Sequence, residues 1–510
     1  MIDFTPAFRL YARGRRRRLA RQDAGAAQSR ELARLVARAK STRFGRDHGF
    51  HAVHSIADFQ RQVPLRRYES MWADYWRGSF PRLIDISWPG TIPYFAVTSG
   101  TTSGTSKNIP VSHEMNFANT RAALDLLAHH LAAWPAGRPL GGKNFVLGGS
   151  SNLKTLAPGV EAGDLSGIAV ARLPWWLRAF VFPPAHVARE SDWEKKTDAI
   201  AALARNADIR VLGGTPAWLL LLFARQQELA GAKSGARALY PKLEMLVHGG
   251  VNFAPYRARF EEFLQGGAEL REIYAASEGF IALQDQTPSD GLRLLVDNGL
   301  FFEFVAVDEL EQANPIRHTL ADAEIGVNYA IVLSSCAGVW AYVIGDTVRF
   351  VSLKPPRILV TGRTSYFMSA FGEHLIGEEI EDAVVAAAVE IGAAVTDFAM
   401  GARFPRQGSE CGGHVYVVEL TRSPPTGDER RRFAEALDRR LCARNDDYSH
   451  YRGDSRIAPP EILFVLQGTF AAWMKARGKL GGQNKVPRVI NNARLLEQLL
   501  DFAAHARGEK

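Results

Sequence analysis

A tract of small and hydroxylated residues that ends in a lysine is the part of this sequence best suited to binding an anion. It reads Thr98-Ser-Gly-Thr-Thr-Ser-Gly-Thr-Ser-Lys107 and follows an apolar, strand-like run at 92–97. Glycine lets backbone N–H groups approach an anion, and the hydroxyl groups add donors. Polyphosphate is the anion most often bound in this way, although tracts of this composition also serve as surface linkers. The spacing Gly-x3-Gly-x2-Lys differs from that of a Walker P-loop, which argues against that class of kinase and ATPase.

Two further segments place a tyrosine and an acid at the end of a strand-like run. In Tyr274-Ala-Ala-Ser-Glu278-Gly279, the ring could stack on a purine and the carboxylate could hold Mg²⁺. Tyr342-Val-Ile-Gly-Asp346 has a similar form, and its aspartate could bind both hydroxyls of a ribose. Taken singly, Glu278 is better interpreted as a solvated loop acid, and Asp346 is equally consistent with a plain turn residue.

Two later segments carry basic groups next to glycine. Gly362-Arg363 precedes a change in sequence texture, so the arginine could contact a nucleotide or bridge two surfaces. Gly481-Gly-Gln-Asn-Lys485-Val-Pro-Arg488 supplies a lysine between a glycine pair and a proline. A basic surface loop is the alternative interpretation of this second segment.

Strand, glycine and helix signals alternate through the first half of the chain, and this alternation predicts an α/β sheet whose loops gather at the strand ends. The predicted strands are 144–147, 209–212, 243–247 and 270–273, and the predicted helices are 28–40, 113–134, 191–205 and 216–230. The helix at 113–134 is expected directly behind the glycine-rich tract. The runs 292–307 and 326–350 predict a β-rich subdomain.

After Arg363 the pattern predicts a compact α+β part. Its expected elements are helices at 378–391 and 428–444 and strands at 414–420 and 462–466. The predicted fold class is therefore α/β, with a large N-terminal domain at 1–363, which includes the β-rich subdomain, and a small C-terminal α+β domain at 364–510.

Size and composition exclude several classes of protein. A chain of 510 residues exceeds the ~250–300 at which single cores stop growing, so at least two domains are expected. Cys336, Cys411 and Cys442 are widely scattered, which suits neither a disulfide framework nor a zinc site and indicates a reducing, cytoplasmic location. The longest apolar run, near 218–224, is far shorter than the ~20 residues that cross a bilayer. No apolar segment of a secretory signal follows the first arginines.

Arginine is concentrated near the start of the chain, within a formal net charge of +8. The residues are Arg13, Arg15, Arg16, Arg17, Arg18 and Arg21. Such a run could contact nucleic acid or an anionic membrane. Because Leu19, Leu32, Leu35 and Val36 recur at helical spacing around it, we interpret the arginines as the solvated face of a helix. We expect no nucleic-acid partner, no membrane insertion and a monomer.

The order of these segments resembles the adenylate-forming superfamily, which includes acyl-CoA synthetases, luciferases and adenylation domains. Within it the chain is most similar to the auxin-responsive acyl-acid amido synthetases of plants and their bacterial relatives. The segments that carry the resemblance are 98–110, 274–279, 483–488, Thr42-Arg-Phe-Gly-Arg-Asp-His-Gly49 and Val63-Pro-Leu-Arg-Arg-Tyr-Glu69. It covers residues 28–495. Two positions depart from the family pattern: Ala275 replaces a glycine, and Val343 replaces an arginine that would contact ribose or phosphate.

The resemblance implies an ATP- and Mg²⁺-dependent ligase with two half-reactions. A carboxylic acid is first converted to an acyl-adenylate, and an amine, usually of an amino acid, then displaces AMP. Coenzyme A as the acceptor, as in an acyl-CoA ligase, is the alternative. A swing of the small domain about Gly362-Arg363-Thr364-Ser365 is implied between the two steps.

The resemblance also implies roles for individual residues. The phosphate-binding residues are Ser99, Gly100, Thr101, Thr102, Ser103 and Lys107, and Glu278 holds Mg²⁺. The adenine is flanked by Gly249, Gly250 and Tyr274, with Ser277 nearby. The ribose is contacted by Asp346 and Arg363. Lys485 is the lysine that reaches the reacting groups, with Lys479 as the second candidate. Aromatic residues at 175, 176, 180, 182 and 218 could wall an acyl pocket or simply form core.

Overall fold

The fold is described from a computed structural model of the whole chain. It describes residues 3–98, 107–148, 151–173, 175–190, 192–230, 235–251, 253, 256–364, 367–368, 375–403, 412–453, 457–480 and 484–506. The chain divides into two compact units: 1–251 with 263–360, and 252–262 with 361–510. Residues 361–363, which the predicted boundary assigns to the first domain, belong to the second unit here.

Helices and strands alternate along most of the chain. In the described part the α-helices, α1 to α18, are Thr5–Ala20, Ala24–Ala39, Arg43–Asp47, Ile56–Gln62, Tyr68–Met71, His113–Ala133, Leu165–Ala171, Trp175–Arg178, Ala185–Ala188, Trp193–Ala204, Pro216–Ala230, Ala236–Leu239, Arg257–Leu264, Gly377–Glu390, Asp428–Arg444, Asp446–Gly453, Thr469–Ala476 and Ala493–Ala506. The strands, β1 to β21, are Tyr94–Thr98, Lys107–Val111, Lys143–Leu147, Lys154–Ala157, Val160–Gly163, Val181–Phe182, Ile209–Gly214, Met245–Gly249, Glu269–Ala276, Gly279–Leu283, Leu292–Leu294, Leu300–Ala306, Asn328–Ser335, Tyr342–Leu353, Pro356–Arg363, Phe367–Met368, Leu375–Ile376, Val395–Arg403, Gly413–Leu420, Glu461–Val465 and Val489–Ile490.

Among the residues that the structure describes, an eleven-stranded mixed sheet forms the frame of the first unit. Its order is β12-β13-β14-β15-β11-β10-β9-β8-β7-β3-β6. Strands β6, β3, β7, β8 and β9 run parallel, so their carboxyl ends lie along one edge. The β-rich runs predicted at 292–307 and 326–350 form strands β11 to β14, which extend this same sheet through antiparallel pairs.

A second, four-stranded sheet in the first unit has the order β2-β1-β5-β4. Strand β2, which the sequence did not predict, separates the glycine-rich tract from α6, so the expectation of a helix directly behind the tract is wrong. Thr98 and Lys107 are antiparallel partners. The edge position of β2 accommodates Pro110, which cannot donate to a ladder. Helix α6 starts after Ser112, whose hydroxyl accepts a hydrogen bond from the N–H of Met115 at 3.0 Å.

The arginine-rich segment is helical, as expected, but one of its arginines is buried. Helix α1 buries Phe8, Ala12, Arg15 and Leu19 on one face. The guanidinium of Arg15 donates to Asp125 on α6 at 2.8 Å and to Asp297 at 2.8 Å. The prediction that the whole run is solvated is therefore wrong at this position, because position 15 falls on the apolar stripe of the helix.

The second unit is built on the four-stranded sheet β20-β19-β18-β21. Alternate residues of β18 enter different cores, as the period-two geometry of a strand requires. Phe398 packs in the core that contains Leu437 of α15, whereas Ala399 packs in the core that contains Trp473 of α17 and Leu499 of α18. Both faces of this sheet are thus covered. No helix among the described residues is long and apolar enough to cross a bilayer.

Candidate active site

The candidate site lies in the first unit, at the carboxyl ends of the parallel strands. Gly249 ends β8, where it is the parallel partner of Ile273 on β9. A Cβ atom at position 249 would overlap the carbonyl oxygen of Ile273, so only glycine fits this close approach. Gly250 follows with φ +82°, a conformation that glycine adopts without strain. The glycine pair predicted to flank an adenine therefore leaves this end of the sheet free of side-chain bulk.

The tyrosine–glutamate motif forms the tight turn between β9 and β10. Tyr274 lies on β9, and Ser277 and Glu278 occupy the turn before Gly279 starts β10. The ring of Tyr274 is buried, with 7% of its surface exposed. Gly279 has φ +156°, and a Cβ there would lie 2.8 Å from a methyl group of Leu300. The turn is thus specified by glycine, and it presents the Glu278 carboxylate at the strand ends.

The second acidic motif is joined to the first by a hydrogen bond. The hydroxyl of Tyr274 donates to a carboxylate oxygen of Asp346 at 2.7 Å. Asp346 lies on β14 within a bulge. The residues of β14 between Val343 and Thr347 outnumber the residues of β13 that they face. Gly345 takes φ +90° in this bulge. A bulge of this kind re-aims a side chain, and here it directs the Asp346 carboxylate to β9.

A reciprocal contact runs in the opposite direction between the same two motifs. The hydroxyl of Tyr342, which begins β14, is hydrogen-bonded to Glu278. Burial first, then the charge of Glu278 and this hydrogen bond, raise the pKa of Tyr342 well above its ordinary value. The phenol therefore stays protonated and remains a donor to the carboxylate. Each motif contributes one tyrosine and one acid, and each tyrosine holds the acid of the other motif.

Lys107 approaches the same cluster from the second sheet. Its ammonium lies 3.5 Å from a carboxylate oxygen of Glu69 and 5.0 Å from the ring centre of Tyr68. The hydroxyl of Tyr68 accepts a hydrogen bond from the N–H of Asn108 at 3.0 Å, which fixes the start of β2. Glu69 and Tyr68 are also among the groups that raise the pKa of Tyr342, so Lys107 belongs to this neighbourhood. The predicted phosphate-binding residues Ser99, Gly100, Thr101, Thr102 and Ser103 lie outside the described residues.

The remaining predicted site residues belong to the second unit. Arg363 ends β15, and Ser365 of the expected hinge lies outside the described residues. Lys485 is partly exposed and lies just before Arg488, which is buried and donates to the hydroxyl of Tyr256 at 2.9 Å. Arg488 also donates to the carbonyl of Phe398 at 3.0 Å and pairs with Asp397. The C-terminal motif is thus anchored to its own sheet through Arg488.

The aromatic residues considered for an acyl pocket pack as core where they are described. The ring of Phe180 meets that of Phe4 edge-on at 5.8 Å, and that of Phe182 meets Phe145 at 5.1 Å. Trp218 is buried on α11. The side chains of residues 175 and 176 lie outside the described part. These contacts favour the core interpretation.

The donor set suits a nucleotide with Mg²⁺ better than a metal cage. Within the described ranges, no three His, Cys, Asp or Glu side chains are grouped so that they could hold a metal ion. Mg²⁺ usually takes one or two protein carboxylates together with phosphate oxygens and water, so a single acid such as Glu278 fits that pattern. Asp346 supplies an acceptor for hydroxyl groups.

The sequence analysis names Tyr342, Glu69 and Tyr68 within its motifs but assigns none of them a role in connecting the cluster. The role of Tyr342 could have been recognised, because Tyr342–Asp346 repeats the spacing of Tyr274–Glu278. Glu69 and Tyr68 lie in a segment that carries the family resemblance, but no pattern in the sequence places them beside Lys107.

Comparisons with known proteins match most of the chain to one protein family. The sequence matches the GH3 family N-terminal domain at 15–228, the GH3 family central domain at 293–363 and the GH3 family C-terminal domain at 378–494. A probable indole-3-acetic acid-amido synthetase, GH3.1 of Oryza sativa subsp. japonica, is 25% identical over 94% of this chain and 89% of its own length. Indole-3-acetic acid-amido synthetase GH3.3 of Arabidopsis thaliana is 26% identical over a region that covers 47% of this chain and 42% of that protein. The chain therefore spans less than half the length of this relative.

Solved structures share the fold at lower identity. The GH3.15 acyl acid amido synthetase superposes with a TM-score of 0.78 at 19% identity, covering 94% of each chain. A 2-hydroxyisobutyryl-CoA ligase in its postadenylation state gives a TM-score of 0.60 at 16% identity, covering 92% of this chain and 91% of the ligase. The fold is therefore that of adenylate-forming enzymes, as the sequence predicted.

Proposed function

This chain belongs to the GH3 family, and on that premise we propose that it is a ligase that joins a carboxylic acid to an amine in two steps. The carboxylate attacks the α-phosphate of ATP to give an acyl-adenylate and pyrophosphate. The amine of an amino acid then attacks the acyl carbon and releases AMP. The observation that carries the proposal is the reciprocal pairing of Tyr274 with Asp346 and of Tyr342 with Glu278 at the carboxyl edge of the parallel strands. Ligands of open α/β sheets bind at this edge.

The nucleoside part of ATP has a proposed site on β8, β9 and β14. Gly249 and Gly250 leave room for the adenine, which the ring of Tyr274 would flank. Asp346 would accept hydrogen bonds from the ribose hydroxyls, and its bond from Tyr274 holds the carboxylate in one orientation. Arg363 is the further ribose contact that we propose from the second unit. Binding energy for the nucleoside then comes from groups already fixed by the sheet.

The phosphate part requires positive charge, because the first step brings two anions together. Lys107 and the tract at 99–103 are the proposed donors to the phosphates, and Glu278 is the proposed protein ligand of Mg²⁺. Mg²⁺ would supply charge neutralisation on the phosphates. Glu69 and Tyr68 hold the Lys107 ammonium near the cluster, which reduces the reorganisation needed when a polyanion arrives.

Lys485 of the second unit is the proposed cation for the developing charge of the first step. Its motif is anchored by Arg488, so the lysine projects from a fixed base in its own unit. We propose that residues 364–510 act as a small domain that turns about 362–365 relative to residues 1–363 between the two steps. No side chain of the protein needs to become covalently attached, since AMP is the leaving group.

The acid and the acceptor are identified by product analysis. The relatives above are named for indole-3-acetic acid, so arylacetic, benzoic, phenoxyalkanoic and aliphatic acids form the first panel. Each acid is incubated with ATP, Mg²⁺ and either the twenty amino acids or coenzyme A, and products are identified by mass spectrometry. The proposal predicts an amide with an amino acid. A thioester formed in preference to any amide would establish the acyl-CoA ligase alternative, and absence of both products across the panel would overturn the proposed reaction.

A further inference from the structure

A large cavity in the first unit is lined by none of the residues proposed to bind ATP. It has a volume of about 1020 Å³ and is lined by the end of α1, the first turns of α2, the start of α6 and the segment before β12. Five arginines face it: Arg18 and Arg21 near the end of α1, Arg30 and Arg34 on α2, and Arg121 on α6. Small-molecule sites commonly reach this size. Part of the N-terminal arginine run therefore forms the wall of a cavity.

The carboxylates that line this cavity are already engaged by other groups. Asp23 accepts a hydrogen bond from the N–H of Ala26 at the start of α2, and Glu31 pairs with Arg34. Glu114 lies 3.5 Å from Arg38, and Asp297 lies 2.8 Å from Arg15. Arg121 is also engaged, because it donates to the side chain of Asn298 at 3.2 Å. Each of these contacts holds one cavity side chain in place, and none of them pairs a carboxylate with Arg18, Arg21 or Arg30.

Three of the cavity arginines have no such partner among the described residues. Arg18, Arg21 and Arg30 are exposed, and within the ranges that the structure describes no carboxylate lies within ion-pair distance of them. The five arginines of the cavity wall outnumber its four carboxylates, and exposed guanidinium groups without a carboxylate at ion-pair distance favour an anion. A planar guanidinium donates two parallel hydrogen bonds to a phosphate group, which makes arginine well suited to phosphate recognition.

The same cavity has an apolar side. The ring of Phe117 on α6 is 70% exposed, while Ala27, Ala118 and Cys336 are buried against the cavity. A large aromatic side chain that remains exposed beside cationic groups offers a stacking surface for a flat, apolar ligand. The cavity thus combines an anion-binding rim with an apolar wall.

We propose that this cavity binds a phosphorylated small molecule with a flat apolar body, at a site separate from the proposed ATP site. The phosphate would lie among Arg18, Arg21 and Arg30, and the apolar body against Phe117. This inference does not depend on the reaction proposed above, because it uses none of the residues assigned to that reaction.

The test uses 1-naphthyl phosphate as the probe and the full-length protein, with binding measured by isothermal titration calorimetry. The triple variant Arg18→Gln/Arg21→Gln/Arg30→Gln removes the three arginines that have no carboxylate at ion-pair distance among the described residues. The matched control, Arg13→Gln/Arg16→Gln/Arg17→Gln, removes the same charge from exposed positions of α1 that do not line the cavity. Titrations with 1-naphthoate and with inorganic phosphate separate the contributions of the phosphate and of the ring.

The proposal predicts one saturable site for naphthyl phosphate, weakened at least about ten-fold in the cavity variant and by less than about two-fold in the control. Naphthoate and inorganic phosphate should each bind more weakly than the probe, and saturating adenosine, which carries no phosphate, should not displace it. Absence of saturable binding, equal losses in both triple variants, or displacement by adenosine would overturn the proposal. If circular dichroism shows that the cavity variant is unfolded, Arg30→Gln alone provides the test, with a smaller expected loss in the same direction.

Discussion

The hydroxyl of Tyr274 on β9 and a carboxylate oxygen of Asp346 on β14 lie 2.7 Å apart, joined by a hydrogen bond between residues 72 positions apart in the chain. The reverse contact, from Tyr342 to Glu278, makes the arrangement reciprocal. Both acids are therefore oriented by phenols that are themselves buried. An acid held in this way binds a ligand with less loss of side-chain freedom than a solvated one.

Replacing Tyr274 by phenylalanine keeps the ring and removes the donor to Asp346. A hydrogen bond to a charged group contributes about 1.5–3 kcal/mol, so we expect the apparent KM for ATP to rise about ten-fold with a smaller change in kcat. Steady-state pyrophosphate release at varied ATP measures this. Tyr240→Phe is the control, because it removes a hydroxyl bonded to Gln226 at 2.7 Å, away from the cluster. Equal KM values for Tyr274→Phe and the unmodified protein would contradict the proposed role of the hydroxyl.

Replacing Tyr342 by phenylalanine removes the donor to Glu278, and its effect should differ from that of Tyr274→Phe. Because Glu278 is the proposed ligand of Mg²⁺, we expect the Mg²⁺ concentration that gives half-maximal rate to rise several-fold. A rise of this size corresponds to the free energy of one hydrogen bond to a charged group. Titration of Mg²⁺ at fixed ATP measures this, and direct Mn²⁺ binding followed by electron paramagnetic resonance provides a second readout. A Mg²⁺ requirement that stays the same in Tyr342→Phe would show that Glu278 does not serve the metal.

Lys485→Ala tests the proposed role of the C-terminal motif. Removing a cation aimed at developing charge should lower carboxylate-dependent adenylation by about 10²-fold or more, while ATP still binds. Lys479→Ala is the natural comparison, since burial lowers the pKa of Lys479 and this residue lies in the same region of the chain. A loss confined to Lys479→Ala would transfer the role to that lysine.

A buried histidine at the opposite edge of the parallel strands should make folding stability depend on pH. His130 on α6 is fully buried, with Nδ1 2.6 Å from Glu269 and Nε2 3.4 Å from Glu244, the residues at the amino ends of β9 and β8. Burial alone would lower the pKa of His130, but the hydrogen bonds to both glutamates outweigh it and raise the pKa above 6.5. The pKa values of Glu244 and Glu269 are lowered, because their hydrogen bonds to His130 and to arginines outweigh burial.

Because the folded-state pKa of His130 is raised, its contribution to folding stability falls as pH rises. The contribution of His130 is complete below its ordinary value of 6.5 and disappears as pH rises through the raised folded-state value. Those of the glutamates disappear as pH falls below 4.5. We expect His130→Asn to cost about 3 kcal/mol in urea unfolding at pH 6 and less at pH 9. The control, His318→Asn, removes a more exposed histidine 3.0 Å from Asp322 and should cost little. A cost for His130→Asn that grows with pH would contradict this account.

Local elements were predictable from the sequence because they depend on short-range patterns. The helix predicted at 428–444 spans Asp428–Arg444, and the strand predicted at 144–147 spans Lys143–Leu147. Strand β2 was missed because Pro110 and the adjoining polar tract hide its short apolar pattern. Arg15 was assigned to solvent because charge dominates that segment, although its spacing from Phe8, Ala12 and Leu19 places it on the buried face.

The candidate site was only partly predictable, because its contacts join distant strands of one sheet. Motif order suggested that Tyr274, Glu278 and Asp346 share a ligand, but nothing in the sequence shows that β9 and β14 bring a tyrosine to the acid of the other motif. The two-residue turn at Ser277 and Glu278 and the bulge at Gly345 decide where these side chains point. Such backbone features follow from strand pairing, which a single sequence does not reveal.

Carboxylate-dependent exchange of labelled pyrophosphate into ATP tests the proposed adenylation step itself, because it reports the first half-reaction whatever the acceptor. We expect exchange with at least one carboxylic acid by the unmodified protein, and loss of most of it at limiting ATP in a correctly folded Asp346→Ala variant. Exchange that proceeds without any acid, or that Asp346→Ala leaves unchanged, would show that the proposed first step or its nucleotide site is wrong.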